Sequence, residues 1–461
     1  MLLLGKKNTL DQNIFLLSED RALTYEDVFE IGDQMYSDAK KELVLILCDK
    51  DIDTVAAYVG ALRNNKVPLL IDQGYKIDLI KSFIEKYTPT YIVGILDASL
   101  TQSDYEIEQS VANSVVYKRR TSCDYEINDE LALLVPTSGS TGDSKCVRLS
   151  AQNVDSCTKS VCEYLDFDQN RTAISFLPIH YSYGLSVLHN CIYKRARFAL
   201  SKLTILDKEI WDEIEKHQVT DFSGVPFMMK LLRRMKLDYD KIKSLKYVTQ
   251  AGGYLPEKDA IALFEEFSAH NIRYYTMYGQ TEAAPRISYL APEYAEAKAG
   301  TVGMPISCGQ AFINETGEKN GTGELCYQGP NVALGYAKNL HDLKLGDEFN
   351  GILLTGDIVE IDSDGFIKIV GRNKRFIKIA GISANLDKVE KDLNEFYVSV
   401  VVGKDDKLIA LSESNDLAPI RQFFSTRYNF NKSHIQVKHI EKIPLNSSGK
   451  TDYKVLTEKY C

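Results

Sequence analysis

The sequence predicts an α/β protein that gives way to a smaller β section and then to a short α+β section, and three observations carry that expectation. Short runs of Val, Ile and Leu alternate with helical patterns through the first half. A continuous apolar run is what a strand buried on both faces needs, as in a largely parallel sheet covered by helices. From about Ala299 the rhythm changes to strands separated by Gly-rich turns, and beyond Gly371-Arg372 it becomes a strand, a helix, a hairpin and a final helix–strand unit. A chain of 461 residues holds about three domain-sized units, or one large domain with a smaller partner, at roughly 150 residues each.

Taken in order, strands are expected at residues 42–48, 67–72, 91–94 and 131–135, each an apolar run closed by a polar or Gly-containing turn. Ser150 offers a side-chain acceptor as N-cap of a helix running to Tyr164. Pro256, with no N–H to satisfy, suits the first turn of a helix through Phe267. The apolar run 272–277 is the next strand, and Gly317, Gly321, Gly323, Gly329 and Gly335 mark the turns of the β section. A boundary is expected near Lys374, followed by a helix over 385–396 and a hairpin around 403–407.

Composition narrows the function. The hydrophobic fraction is 44% and the charged fraction 26%, a globular balance that argues against disordered, collagen-like and coiled-coil classes. With 55 Lys plus Arg against 64 Asp plus Glu, the formal net charge is -9. A dedicated nucleic-acid binder needs a basic face to displace phosphate counterions, so no nucleic-acid partner is expected. The cluster Lys118, Arg119 and Arg120 reads as a solvated loop. The longest apolar runs, such as 43–48, are too short to span a bilayer, and the first four residues lack the apolar core of a signal peptide. No membrane span and a cytoplasmic location are therefore expected. Nine cysteines, an odd number with no C-x-x-C pair, fit reduced thiols better than disulfides or zinc. Cys157 and Cys162, five apart on a helical pattern, are expected to pack.

The sharpest segment is Thr137-Ser-Gly-Ser-Thr-Gly-Asp-Ser-Lys145, directly after the strand at 131–135. Its hydroxyls, glycines and lysine suit a loop whose N–H groups and side chains wrap phosphate oxygens, with Lys145 supplying positive charge. The spacing is not that of Walker A, which needs four residues between its glycines and a Ser or Thr after the Lys. Here two residues separate Gly139 from Gly142 and Cys146 follows the lysine, which disfavours a P-loop NTPase.

Further segments accompany it: Tyr278-Gly-Gln-Thr-Glu282 after the run 272–277, Leu353-Leu-Thr-Gly-Asp357 followed by Gly371-Arg372, and Pro444-Leu-Asn-Ser-Ser-Gly-Lys450 near the end. In this order and at these separations the set resembles the AMP-forming adenylating superfamily, which includes acyl- and aryl-CoA synthetases, peptide-synthetase adenylation domains and firefly-type luciferases. The resemblance covers nearly the whole chain. It implies an α/β fold with a large N-terminal domain, residues 1–373, built of two α/β subdomains with mostly parallel sheets plus a small β-barrel-like subdomain. A small mobile α+β C-terminal domain, residues 374–461, would carry Lys450. It also implies a reaction in two halves that uses ATP and Mg²⁺. A carboxylate repels nucleophiles and has only oxide to lose. Conversion to an acyl-adenylate with release of pyrophosphate removes both obstacles, and a thiol then displaces AMP. Forcing a carboxylate against an α-phosphate requires cations and oriented donors.

By the same resemblance, Thr137, Ser138, Gly139, Ser140, Thr141, Gly142 and Lys145 would hold the β- and γ-phosphates. Gly252 and Gly253 would approach adenine and acid closely, and Tyr278, with Gly279 and Gln280 beside it, would stack on adenine. Thr281 would meet the α-phosphate, and Glu282 would ligate Mg²⁺. Asp357 would accept from the ribose hydroxyls and Arg372 donate to the ribose. Lys450 would bridge carboxylate and α-phosphate in the adenylation step. Lys374 falls at the family's hinge, while Lys378 and Gly381 fall where a pantetheine arm enters. The chain departs from the usual pattern at Ser144, Cys146 and Ile382-Ser-Ala384.

The acid would meet His180, Tyr181 and Gly184, with Ser223, Val225, Met277 and Ala283 lining the rest. Amino-acid-activating members place an Asp near Gly184, so glycine there favours an acid without an α-amino group. His180 also suits a core role. Coenzyme A and an acyl carrier protein both present phosphopantetheine, so the acceptor stays open, with the short 374–461 section tilting toward a carrier protein. Open too are an amino-acid-activating enzyme that loads a carrier protein, an inactive scaffold homologue and a luciferase-like oxygenase. The intact set Lys145, Thr281, Glu282, Asp357, Arg372 and Lys450 counts against the scaffold.

Overall fold

The computed structural model of the protein describes residues 11–36, 38–97, 104–121, 125–137, 145–314, 321–379, 382–428, 432–445 and 450–461. The chain forms two compact units, one of residues 1–310 with 328–353 and one of residues 311–327 with 354–461.

The first unit holds two large sheets. One orders nine strands as Met304–Pro305, Ser288–Leu290, Arg273–Tyr278, Tyr247–Gln250, Asp221–Gly224, Thr172–Ile174, Arg197–Ala199, Ile14–Leu17 and Ala22–Thr24. Pairing is parallel from Arg273–Tyr278 through Ile14–Leu17 and antiparallel at both flanks. The other orders eight as Gly335–Ala337, Cys146–Ser150, Leu131–Pro136, Val67–Asp72, Leu43–Cys48, Tyr91–Val93, Ser114–Arg119 and Tyr105–Val111. Its four central strands are parallel and its flanks antiparallel.

The strand Leu43–Cys48 shows why a continuous apolar run was needed. Leu43, Leu45 and Leu47 enter one hydrophobic cluster, while Val44, Ile46 and Cys48 enter another, so the two-residue period buries opposite faces in separate cores. The N-cap expected at Ser150 is present as a reciprocal box: Asn153 N donates to Ser150 Oγ at 3.1 Å and Ser150 N donates to Asn153 Oδ1 at 2.8 Å. Pro256 sits one residue ahead of its expected place, as N-cap of Glu257–Ala269.

The cluster expected to be a solvated loop is strand instead. Lys118 and Arg119 belong to Ser114–Arg119, and Lys118 pairs with Glu108 and Arg120 with Glu106 at 3.3 and 3.6 Å. Cross-strand partners hold these cations on the hairpin, a cue that composition alone lacks.

The second unit carries most of a four-stranded sheet in the order Gln310–Ile313, Thr322–Gln328, Ile352–Ile361, Ile367–Arg372. Then come the hairpin Phe376–Ile379 with Ile382–Asn385, the helix Leu386–Asn394 and the hairpin Ser399–Lys404 with Lys407–Ser412. Asn385 caps the helix, its Oδ1 accepting from Asp387 N and Lys388 N. After the helix Ala418–Arg427 and the strand Ile435–His439 comes the helix Tyr453–Tyr460, which the sequence pattern did not announce.

Among the described residues, no helix is long and apolar enough to cross a membrane. The eight described cysteines are free. Burial pushes the Cys157 and Cys162 thiols up to about 12, so both pack as neutral groups.

Candidate active site

Register brings the motif loops together. Gly224, Gln250 and Thr276 are paired neighbours on three adjacent parallel strands. The segments that follow, carrying Val225, Gly252-Gly253 and Gly279 to Glu282, therefore leave the sheet side by side at its carboxyl end, where open α/β sheets bind their ligands. Gly252 adopts a φ of +89°, and Gln250 Nε2 donates to Gly253 O at 3.2 Å. Tyr278 is buried, with Gln280 Nε2 3.4 Å from its hydroxyl.

The turn that presents Thr281 and Glu282 is tightly braced. A Cβ on Gly279 would lie 1.8 Å from Pro285 O, so only glycine lets the outgoing chain pass the returning one. Asn331, fully buried, donates to the carbonyls of Ala283 and Arg286 at 2.8 Å each. Ala333 N donates to Glu282 O at 2.9 Å.

The phosphate loop leaves the strand Leu131–Pro136. Thr137 N donates to Lys145 O at 3.2 Å, closing the loop's base; Ser138, Gly139, Ser140, Thr141 and Gly142 lie outside the described residues. Lys145 Nζ sits 3.2 Å from the centroid of the Tyr336 ring, and the Tyr336 hydroxyl donates to Glu282 Oε1 at 2.8 Å. Burial and the adjacent Glu282 charge raise the Tyr336 pKa, so the phenol stays a donor. Thr281 Oγ1 lies 3.0 Å from Ser182 Oγ. Cation, ring and carboxylate thus form one continuous array through Tyr336, while Ser182 meets Thr281; motif reading missed both. Tyr336 follows Gly335, which the sequence presented only as a turn. Cys146, where the pattern departs from the family, is buried at a strand start and its thiol is pushed up to about 12.

Among the described residues, no three His, Cys, Asp or Glu side chains gather to hold a metal. A lone hard carboxylate such as Glu282 fits Mg²⁺ in the company of phosphate oxygens and water, the usual manner of that ion.

The substrate-side residues form a largely buried group. Ser223 Oγ lies 2.8 Å from Thr249 Oγ1, which lies 2.7 Å from the Tyr183 hydroxyl. Val225, Met277 and Ala283 are buried, and the Tyr164 hydroxyl reaches Met277 Sδ at 2.8 Å. Tyr181 is half-buried and meets the Tyr183 ring edge-on at 6.3 Å. His180 lies with Nε2 3.8 Å from Asp72 Oδ2 and Nδ1 buried without a hydrogen-bond partner. Burial lowers its pKa against the opposing pull of Asp72, which leaves the ring neutral. For Gly184, a Cβ would lie 2.3 Å from Pro178 O and 2.6 Å from Leu177 O; packing by itself accounts for that glycine. Arg286, which the sequence did not single out, is only 2% exposed.

In the second unit, Asp357 and Arg372 are directly paired across antiparallel strands. Asp357 N donates to Thr355 Oγ1 at 3.1 Å, and that hydroxyl donates to Leu325 O at 2.9 Å. Lys378 is exposed on Phe376–Ile379, its N–H donating to Asp405 Oδ1 at 2.8 Å. Gly381 lies outside the described residues, and Lys374 falls in the turn Asn373–Arg375. Lys450 is half-buried beside the bridge between Leu445 and Thr451.

Comparison with known proteins identifies the family and the fold. The family described as AMP-binding enzyme matches residues 11–337. A 2-succinylbenzoate–CoA ligase of Staphylococcus aureus is 31% identical over 340 residues, covering 70% of this chain and 66% of the relative. One from Staphylococcus epidermidis is 28% identical over 347 residues, covering 72% and 70%. Among solved structures, the o-succinylbenzoate coenzyme A synthetase of Bacillus subtilis in complex with ATP and magnesium superposes with a TM-score of 0.75 at 20% identity, covering 96% of each chain. ATP-bound MatB from Rhodopseudomonas palustris gives 0.77 at 19% identity, covering 100% of this chain and 98% of that one. At these identities the superpositions establish a shared fold. On the extended family match and the motif set together, the chain belongs to the AMP-binding enzyme family, the AMP-forming adenylating superfamily.

Proposed function

We propose that the protein is an ATP-dependent, AMP-forming ligase. It would join a carboxylic acid to AMP with release of pyrophosphate, then pass the acyl group to a phosphopantetheine thiol. The observation that carries this reading is the array of Lys145, Tyr336 and Glu282, with Thr281 and Glu282 following the carboxyl end of the strand that delivers Tyr278. Lys145 supplies charge for the phosphates, Thr281 a hydroxyl for the α-phosphate and Tyr278 a flat apolar face for adenine. Bound at Glu282, Mg²⁺ would neutralise phosphate charge. Asp357 accepts from the ribose, Arg372 donates to it, and Lys450 stabilises the meeting of the two anions during adenylation. Lys374 would act as the hinge between residues 1–373 and 374–461, and Lys378 with Gly381 would face the pantetheine arm. The relatives are named as CoA ligases, which favours coenzyme A over a carrier protein as acceptor. The buried neutral thiols favour a reducing, cytoplasmic setting.

Incubation of the protein with ATP, Mg²⁺ and pools of fatty, aryl and amino acids should release pyrophosphate with at least one pool, and hydroxylamine should trap the activated acyl group. Lys450→Ala should abolish that release while leaving transfer from a supplied acyl-adenylate largely intact. Silence of the folded wild-type protein toward every pool would overturn the ligase reading, and equal loss of both halves would overturn the role of Lys450.

A further inference from the structure

We propose that the acid taken by this site carries a second carboxylate, and that Arg286 is the cation that receives it. The inference rests on the ligase reading above and names its substrate class. Three arginines are deeply buried among the described residues. Arg148 has Glu348 as its ion-pair partner and Arg171 has Asp221. Arg286 is 2% exposed, its Nε is buried without a hydrogen-bond partner, and its described guanidinium contact is the Tyr183 ring, 5.1 Å away. A buried charge without a counter-ion is costly, and a fold retains one where an anion arrives to repay it.

The position of Arg286 assigns that anion to the acid pocket. Its residue stands five beyond Thr281, and its backbone is braced on both sides: Arg286 N donates to Ala283 O at 3.0 Å and Asn331 Nδ2 donates to Arg286 O at 2.8 Å. The ring beneath it belongs to Tyr183, whose hydroxyl lies 2.7 Å from Thr249 Oγ1, itself 2.8 Å from Ser223 Oγ. The neighbouring groups Tyr164 and Tyr181 bring no charge. Tyr164, Tyr181 and Tyr183 stay neutral because burial raises their pKa values. A carboxylate at the far end of the acid can accept two parallel N–H donors from the guanidinium, whereas a methyl or phenyl end leaves the charge unanswered. The reacting carboxylate remains the one held near Thr281.

The test uses matched acids: butanoate against butanedioate, hexanoate against hexanedioate, and 3-phenylpropanoate against 3-(2-carboxyphenyl)propanoate. Pyrophosphate release gives kcat and KM, and calorimetry on the same full-length protein gives binding. At least one diacid should exceed its monoacid partner tenfold or more in kcat/KM. In Arg286→Met that ratio should fall toward one, chiefly through KM, with Arg286→Lys intermediate. Because Arg286→Met removes an unanswered buried charge, its melting temperature should equal or exceed the wild type's. A large fall in melting temperature, equal use of mono- and diacids by the wild type, or absence of diacid binding would each overturn the proposal. Diacid binding that Arg286→Met abolishes, without pyrophosphate from any acid, would uphold the anion site and overturn the ligase reading instead.

Discussion

Arg372 donates its Nε to Asp357 Oδ1 at 3.0 Å from the position directly opposite on the neighbouring strand, yet the aspartate side chain is 2% exposed and the arginine 61%. An ion pair with one partner in water is worth about 0–1 kcal/mol, so stability alone is a weak reason for holding the two together. An exposed donor beside a buried acceptor suits the proposed ribose contact better. Arg372→Ala should shift the urea midpoint by less than about 1 kcal/mol of stability while raising KM for ATP about tenfold, the value of one charge-assisted hydrogen bond. A structural role would show the reverse ranking in the same two measurements.

Tyr336 joins Lys145 to Glu282 through its ring and its hydroxyl. Tyr336→Phe keeps the ring and removes the donor that orients the carboxylate. The Mg²⁺ concentration for half-maximal pyrophosphate release should rise about tenfold, the usual effect of losing a ligand's supporting hydrogen bond. A titration at saturating ATP reads it, and an unchanged curve would remove Glu282 from the metal's company.

Gly184→Ala should destabilise the protein by about 2 kcal/mol or more, because the added methyl meets two backbone carbonyls that cannot yield like a flexible side chain. Urea denaturation measures this. An Asp introduced at Gly184 to bind an amino group would meet the same two carbonyls.

His189 is buried with Nε2 2.6 Å from the Tyr58 hydroxyl, and burial brings its pKa down to about 3. A base whose folded pKa is depressed binds fewer protons folded than unfolded, so its contribution is whole above the ordinary histidine range and drains away as pH falls through it toward 3. The slope is at most about 1.4 kcal/mol per pH unit. His189→Gln, which keeps a polar partner for Tyr58, should flatten stability between pH 6 and pH 4, as read by denaturation at each pH.

Much of this was legible in the chain because it is local. Alternating burial of Leu43–Cys48, the cap at Ser150 and the hairpin at Ser399–Lys404 follow from residues a few positions apart. The helix Tyr453–Tyr460 was not legible, since Tyr, Lys, Thr and Glu dominate it and its apolar stripe is thin.

The sequence by itself determined the α/β alternation, the family and the identity of the motif residues, because each is written in short windows whose chemistry does not depend on distant chain. Only the tertiary structure decided which groups stand between those motifs. Tyr336 meets Glu282 across 54 positions, and Asn331 braces Ala283 across 48. Arg286, an unremarkable cation in the sequence, becomes a buried one whose Nε has no hydrogen-bond partner among the described residues. Such relationships arise from sheet order and register, which bring remote segments to one edge and which no local pattern specifies.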